Sequence, residues 1–206
     1  MNNSARIQAM RSRRARQSQS LDNLQTGTYG TSGEKISWSY YDESAVPATA
    51  QTLVQFQTPI GGTKTLAHTN MVAAGQIPQG QKFVVEKIKV MYRSVSGVST
   101  PAEANELMAF MDRAIIQFKI SNKAPMMQAK LSDVMGLSLM APITGTGGTA
   151  SFSQGVFTGE WKLHTPITVG ALTPFQVEIV LNDVPAASVV ADILTTSLKG
   201  TLIRAL

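Results

Sequence analysis

The chain has 206 residues, a formal net charge of +5 and no cysteine. Five arginines within the first 20 residues account for this net charge, because the rest of the chain holds 13 basic and 13 acidic side chains. The absence of cysteine excludes disulfides, thiolate metal sites and a cysteine nucleophile, and no apolar run reaches the roughly 20 residues of a membrane-spanning helix.

The first 34 residues are predicted to be a basic, flexible arm and linker. They show neither strand nor helix periodicity, and a stretch rich in glycine, threonine and serine follows the arginines. Such a composition cannot bury enough apolar surface to fold alone. As a coil, a 20-residue arm spans about 25 Å on average, so it can reach a partner well away from the body.

The arginine cluster is the one constellation in this sequence with a recognisable chemistry. Its members are Arg6, Arg11, Arg13, Arg14 and Arg16. Guanidinium groups pair bidentately with phosphate and stay charged at cellular pH. No aromatic residue is interleaved with them, so we expect sequence-independent, salt-sensitive binding of nucleic acid. An anionic membrane, a solubilising tail, a localisation signal and a mitochondrial presequence are the alternative interpretations.

Residues 35–206 are predicted to form one mainly β domain. Runs with period-2 alternation indicate strands with one face in a core. The predicted strands are Ile36–Tyr40, Thr52–Gln57, Lys82–Ser94, Ala114–Ser121, Met126–Lys130, Val156–His164, Ile167–Val169, Phe175–Leu181 and Thr195–Ala205, with a weaker extended piece at Lys64–Thr69. Pro166 is expected to end the strand that begins at Val156.

The strongest predicted strand, Lys82–Ser94, has two chemically distinct faces. Its apolar face is expected to be buried and consists of Val84, Ile88, Val90 and Tyr92. Its opposite face carries three basic residues, Lys87, Lys89 and Arg93. Half-buried strands of an antiparallel sheet show this pattern.

One helix is well marked between the strands. Thr100, Pro101 and Glu103 form a capping box that predicts about three helical turns through Met111. A short helical turn is expected at Leu131–Gly136. Because the strands do not alternate with helices, the pattern favours an antiparallel sandwich or barrel over an α/β fold.

Catalytic and metal-binding motifs are not recognisable. His68 and His164 each lack a second ligand at local spacing. Glu160 and Glu178 are the carboxylates that neighbouring strands would bring together in a glycosidase, although solvated strand faces are the simpler interpretation. We therefore expect no enzyme activity, no cofactor and no small-molecule substrate.

The organisation resembles the single jelly-roll coat proteins of small tailless icosahedral viruses, bacteriophages among them. The resemblance rests on the arm up to Arg16, the glycine- and threonine-rich linker, and about eight strands with one inserted helix. Lys162–Ile167 followed by Phe175–Ile179 also looks like the late strands of phage capsid proteins. The resemblance covers nearly the whole chain and is one of architecture.

The resemblance implies an eight-stranded antiparallel jelly-roll sandwich that self-assembles into an icosahedral shell. The arm would face the packaged genome, an internal anionic membrane or other capsid proteins, and the protein would be found in the virion after assembly in the host cytoplasm. The alternative is a monomeric β-sandwich module that binds carbohydrate or single-stranded nucleic acid. That module needs an aromatic platform, for which the candidates are Trp38, Tyr40, Tyr41, Tyr92 and Trp161.

The charge of the arm limits its role in such a shell. Five charges in each of about 60 copies neutralise roughly 300 phosphates. The coding sequence of this chain alone needs about 620 nucleotides, at three for each of its 206 residues. A minimal shell would therefore need further cations, more copies, or another use for the arm.

Overall fold

Eight strands form two antiparallel four-stranded sheets in the residues that the computed structural model describes, 33–95, 101–121, 123–135 and 156–204. The strands are β1 (Glu34–Ala45), β2 (Thr52–Gln55), β3 (Gln81–Arg93), β4 (Ile115–Ile120), β5 (Met127–Lys130), β6 (Val156–Val169), β7 (Phe175–Val180) and β8 (Ile193–Arg204). The first sheet, here the β3 sheet, has the order β1-β8-β3-β6. The second, the β7 sheet, has the order β2-β7-β4-β5.

The prediction of a mainly β, antiparallel fold is confirmed, with 53% strand and 12% helix among the described residues. Within the unit Lys35–Ile203, the two sheets contribute to a common hydrophobic core. Ile88 and Leu198 enter this core from the β3 sheet, and Phe118 and Ile179 enter it from the β7 sheet. The predicted division into an arm (1–34) and a body (35–206) stays a prediction, because residues 1–32 lie outside the described part.

The prediction that Pro166 ends a strand is wrong, because β6 continues through it to Val169. Between the paired residues Val85↔Ile167 and Lys87↔Lys162, β3 has one residue while β6 has four, Pro166 among them. A proline has no N–H to donate to the neighbouring strand, but a residue in a bulge does not need to make that hydrogen bond. The predicted pieces Val156–His164 and Ile167–Val169 are therefore one bulged strand.

The same irregularity changes which β3 side chains enter the core. Ile88 and Tyr92 are fully buried there, as the alternation predicts. Before the register shift, Phe83 and Val85 belong to the core cluster; Val84 is also buried, at 5% exposure, but is not part of that cluster. Extending a strict two-residue period backwards from Ile88 therefore assigns Val84 to the wrong face, since a bulge reverses the alternation.

The loop after β2 departs from the extended conformation that its sequence suggests. Phe56 has a φ of 70°, and β2 ends at Gln55, two residues before its predicted end at Gln57. The Phe56 ring is fully buried. Lys64–Thr69 forms turns instead of the predicted extended piece. The Lys64 side chain bends back to Asp42, with its Nζ 2.7 Å from Oδ1, and this contact holds the loop against β1.

Two helices accompany the sheets in the described ranges, α1 (Pro101–Arg113) and α2 (Leu131–Met135). Both were predicted, although the expected N-cap of α1, Thr100, lies outside the described residues. Ala104, Leu107 and Met111 are buried on one side of α1, at helical spacing. None of the helices seen in these ranges has the length and apolarity to cross a membrane.

Candidate functional site

The five predicted nucleic-acid-binding arginines, Arg6, Arg11, Arg13, Arg14 and Arg16, lie outside the described residues. Their assignment as a phosphate-binding cluster therefore stays a prediction from the sequence. The candidate sites whose geometry the structure describes lie on the body.

In the described part of the chain, His68 and His164 belong to no metal-binding cluster, and Glu160 and Glu178 do not form a pair. His68 is partly buried, and its Nδ1 lies 3.1 Å from Oγ1 of Thr65 within the same turn. His164 is exposed on β6. Among the residues that the structure describes, no three histidine or acidic side chains cluster as a metal site would require.

Glu160 and Glu178 lie on β6 and β7, which belong to different sheets. The expectation that they occupy neighbouring strands is therefore wrong. Glu178 accepts a hydrogen bond from Nζ of Lys119 at 2.6 Å, and Glu160 is bound by two other lysines. Each carboxylate is thus engaged by lysine on its own sheet and does not form an acid–base couple with the other.

The aromatic candidates do not form a binding platform. Tyr40 and Tyr92 are buried, with exposed fractions of 5% and 1%. Trp38 and Trp161 are partly exposed but lie on β1 and β6, the two edge strands of the β3 sheet. Three strand spacings separate those edges by about 14 Å, which is too far for both rings to contact one sugar or base.

Asp192 is the centre of a buried polar cluster that the sequence does not reveal. Its carboxylate accepts hydrogen bonds from the Tyr92 hydroxyl, from Oγ of Ser94 at 3.3 Å and from the backbone N–H of Val95 at 2.7 Å. Burial, and then Asp192, raise the pKa of Tyr92 far above its ordinary value, so the phenol stays protonated as a donor. This geometry anchors the end of β3 to the segment before β8.

The most distinctive surface feature is a cluster of lysines on the β3 sheet. Four lysines surround one carboxylate, that of Glu160, and we call this set the lysine face: Lys87, Lys89, Lys162 and Lys199. In the β3–β6 register, Lys87 is paired with Lys162 and Lys89 with Glu160. Because directly paired residues point to the same side of a sheet, these side chains project together from its outer surface.

The lysine face is incompletely neutralised. Glu160 accepts hydrogen bonds from Nζ of Lys87 at 2.7 Å and from Nζ of Lys199 at 2.8 Å. The hydrogen bonds from Lys199 and Lys87 lower the pKa of Glu160 to about 2. Lys89 and Lys162 take part in none of the ion pairs among the described residues. Four lysines and one glutamate leave a local charge of +3, and adjacent Glu86 reduces it to +2.

An open groove of about 540 Å³ adjoins the lysine face, where Lys87 and Lys199 line it. Its lining is mostly polar and basic: Ser37, Trp38, Ser39, Asn70, Glu86, Lys87, Lys199, Gly200 and Thr201. Asn70 is fixed there, because its side-chain amide donates to the Ser39 carbonyl at 2.7 Å and accepts from the Tyr41 N–H at 2.9 Å. Ammonium, amide and hydroxyl groups of this kind are suited to phosphate oxygens.

The sequence indicated part of this face. Alternation places Lys87 and Lys89 opposite the buried side of β3, as observed. It could not show that Lys162 and Lys199 join them, since Glu160 is 73 residues from Lys87 and 39 from Lys199. The sequence shows that three predicted strands contain lysines, but it does not show the order of those strands in the sheet.

Comparison with protein-family models gave no match to this chain, and a search of curated proteins gave none either.

Proposed function

We propose that this chain is a capsid subunit with a jelly-roll fold, which self-assembles into a closed icosahedral shell. Its arginine-rich arm contacts the packaged genome on the inner side. The protein acts as a structural component of a virion and performs no catalysis.

The pairing scheme of the strands carries this proposal. β4 pairs with β5, β3 with β6 and β2 with β7, and β1 lies beside β8. These nested pairs are those of one long hairpin, in which β1 to β4 form one half and β5 to β8 form the other. Folding such a hairpin over itself distributes its pairs alternately between two sheets. This pairing is the one expected of the double Greek key in jelly rolls, a fold that is frequent among viral capsid domains, and it supports the proposal.

The distribution of charge gives a second line of support, which is needed because a fold alone does not specify a function. Charged residues make up 15% of the sequence, against the quarter that is usual in soluble proteins. On the β7 sheet, amide side chains occupy paired positions, as where Nε2 of Gln117 lies 3.2 Å from Oε1 of Gln128. A neutral, hydrogen-bonding surface of this kind suits contacts between copies of one subunit.

Sedimentation velocity and negative-stain microscopy of the purified chain test the proposal. We expect uniform closed particles of tens of subunits. A stable monomer under every assembly condition, across salt, pH and added nucleic acid, would contradict it.

A variant with all five arm arginines changed to glutamine tests the role of the arm separately. Its body should fold as in the wild type, while salt-sensitive co-purification of nucleic acid should be strongly reduced. Undiminished co-purification would show that the arm does not hold the genome.

A further inference from the structure

We propose that the lysine face is a second nucleic-acid-binding surface, which holds the phosphodiester backbone of a single strand independently of the arm. The inference goes beyond the proposed function, because it assigns binding to the folded body. Recognition would be electrostatic and independent of sequence, since the face presents ammonium and hydroxyl groups suited to phosphate.

The arrangement of charge is the first argument. Directly opposed like charges destabilise a sheet, yet Lys87 is paired with Lys162 across β3 and β6. Lys89, two residues along β3 from Lys87, adds a further positive charge on the same side. Departures from locally favourable pairing are expected at functional sites. A bound polyanion would relieve this repulsion by providing counter-charges to all four lysines.

The shape and the neutral groups of the groove form the second argument. Ser37, Ser39 and Thr201 bring hydroxyl groups beside Lys87 and Lys199, and an open groove admits an extended chain. The Trp38 ring packs edge-on against the buried Tyr40 ring, with centroids 6.2 Å apart, so the groove offers its basic and hydroxyl groups and not a stacking ring. Basic grooves that track the backbone of a single strand bind nucleic acid without sequence preference.

A membrane surface fits the same face less well. Peripheral membrane binding combines basic residues with a broad apolar surface that enters the lipid. Among the described strands of the β3 sheet, the large exposed apolar side chains are Trp38 and Trp161, which lie on opposite edges. The centre of the face is basic and polar, so nucleic acid is the better match.

The arm alone carries too few positive charges to neutralise a genome in a minimal shell, and a second cationic surface would supply more. A local charge of +2 in each of about 60 copies neutralises roughly 120 phosphates, beside the roughly 300 for the arm. This supporting argument rests on the proposed function. The binding experiment that follows does not, because it requires no assembled shell.

The experiment uses the full-length chain with its five arm arginines changed to glutamine, so that binding by the arm is removed. Binding of a fluorescent single-stranded oligonucleotide of mixed sequence is measured by anisotropy at several salt concentrations. In this background K89Q/K162Q should weaken binding and reduce the slope of log K against log salt by about 1.4, for two lost phosphate contacts. These substitutions leave the Glu160 ion pairs intact.

The matched control is K123Q/K130Q, which removes the same charge from the β4–β5 loop and from β5 of the other sheet. It should leave the slope unchanged. E160Q provides a variant of opposite sign, because removing the carboxylate from the lysine face should strengthen binding and steepen the slope.

Several results would overturn the proposal. They are equal losses for K89Q/K162Q and K123Q/K130Q, no oligonucleotide binding in the arm-neutral background, and weaker binding by E160Q. Binding to anionic phospholipid vesicles without binding to the oligonucleotide would assign the face to a membrane instead. A changed sedimentation coefficient for K89Q/K162Q with unchanged oligonucleotide binding would assign it to a neighbouring subunit.

Discussion

At the scale of single residues, Asp192 is the polar group on which the body depends most. The D192A substitution removes the acceptor for the buried Tyr92 hydroxyl and for the Val95 N–H. Losing the charged acceptor of a buried hydroxyl costs about 1–3 kcal/mol, so we expect the free energy of unfolding to fall by about 2 kcal/mol. Urea denaturation of the unassembled chain measures this change.

Two further variants separate this cluster from a general effect of losing a charge. D183A removes an exposed carboxylate whose partner, Arg113, lies 3.2 Å away at the surface, and should cost less than about 1 kcal/mol. Y92F removes the phenol whose hydrogen bond to Asp192 is lost in D192A, so the double variant should cost less than the sum of the two single changes. Strict additivity would show that Asp192 and Tyr92 act separately.

Glu160 makes the stability of the body depend on pH. Its pKa is lowered to about 2 in the folded chain, from an ordinary 4.5, by hydrogen bonds from Lys199 and Lys87. A group with a lowered folded-state pKa contributes stability above its unfolded pKa and loses it as the pH falls through its folded value. The difference in unfolding free energy between wild type and E160Q should therefore have its maximum value above pH 5 and decrease as the pH falls from 4.5 to 2.

The size of that difference is limited by solvent. The Glu160 side chain is about a third exposed, and exposed ion pairs each contribute at most about 1 kcal/mol. We expect E160Q to cost about 1 kcal/mol at pH 7 in low salt, and less in 1 M salt, where charges are screened. A cost that stays constant from pH 7 to pH 2 would show that the ion pairs are not its source.

At the scale of strands and helices, Gly200 of β8 permits the close approach of β8 to the irregular part of β3. A Cβ atom added to Gly200 would lie 1.8 Å from the carbonyl oxygen of Val84. Since backbone atoms must shift to make room, G200A should destabilise the body by about 3 kcal/mol. Gly62 has nothing within 4 Å of an added Cβ, so G62A should change stability by less than about 0.5 kcal/mol. Thermal or urea unfolding compares the two, and equal effects would contradict this packing argument.

Strand positions could be predicted from the sequence because alternation is a local property. Ile88, Val90 and Tyr92 are buried as expected, and α1 follows its capping signal. The exceptions are places where tertiary contacts determine the backbone. Pro166 is tolerated because β6 bulges against β3, and Phe56 takes a positive φ while its N–H donates to Asp42 Oδ2 at 2.6 Å.

At the scale of the whole molecule, sheet order is what the sequence could not supply. The lysine face combines residues of β3, β6 and β8, which are neighbours because β3 lies between the other two. A single sequence specifies each strand but not which strands pair, since pairing across a hundred residues leaves no local signal. For that reason the arm was recognisable as a basic segment and the lysine face was not.

The two basic regions should contribute independently to nucleic-acid binding. If arm and lysine face contact different phosphates, the salt dependence of binding is the sum of their released counterions. Changing the five arm arginines to glutamine should reduce the slope of log K against log salt by about 3.5, and K89Q/K162Q by about 1.4. Combining both sets should reduce it by about 4.9, as measured by oligonucleotide anisotropy of the unassembled chain. A combined loss no greater than that of the arm variant alone would mean that the lysine face binds nothing by itself and that the arm carries all the affinity for nucleic acid.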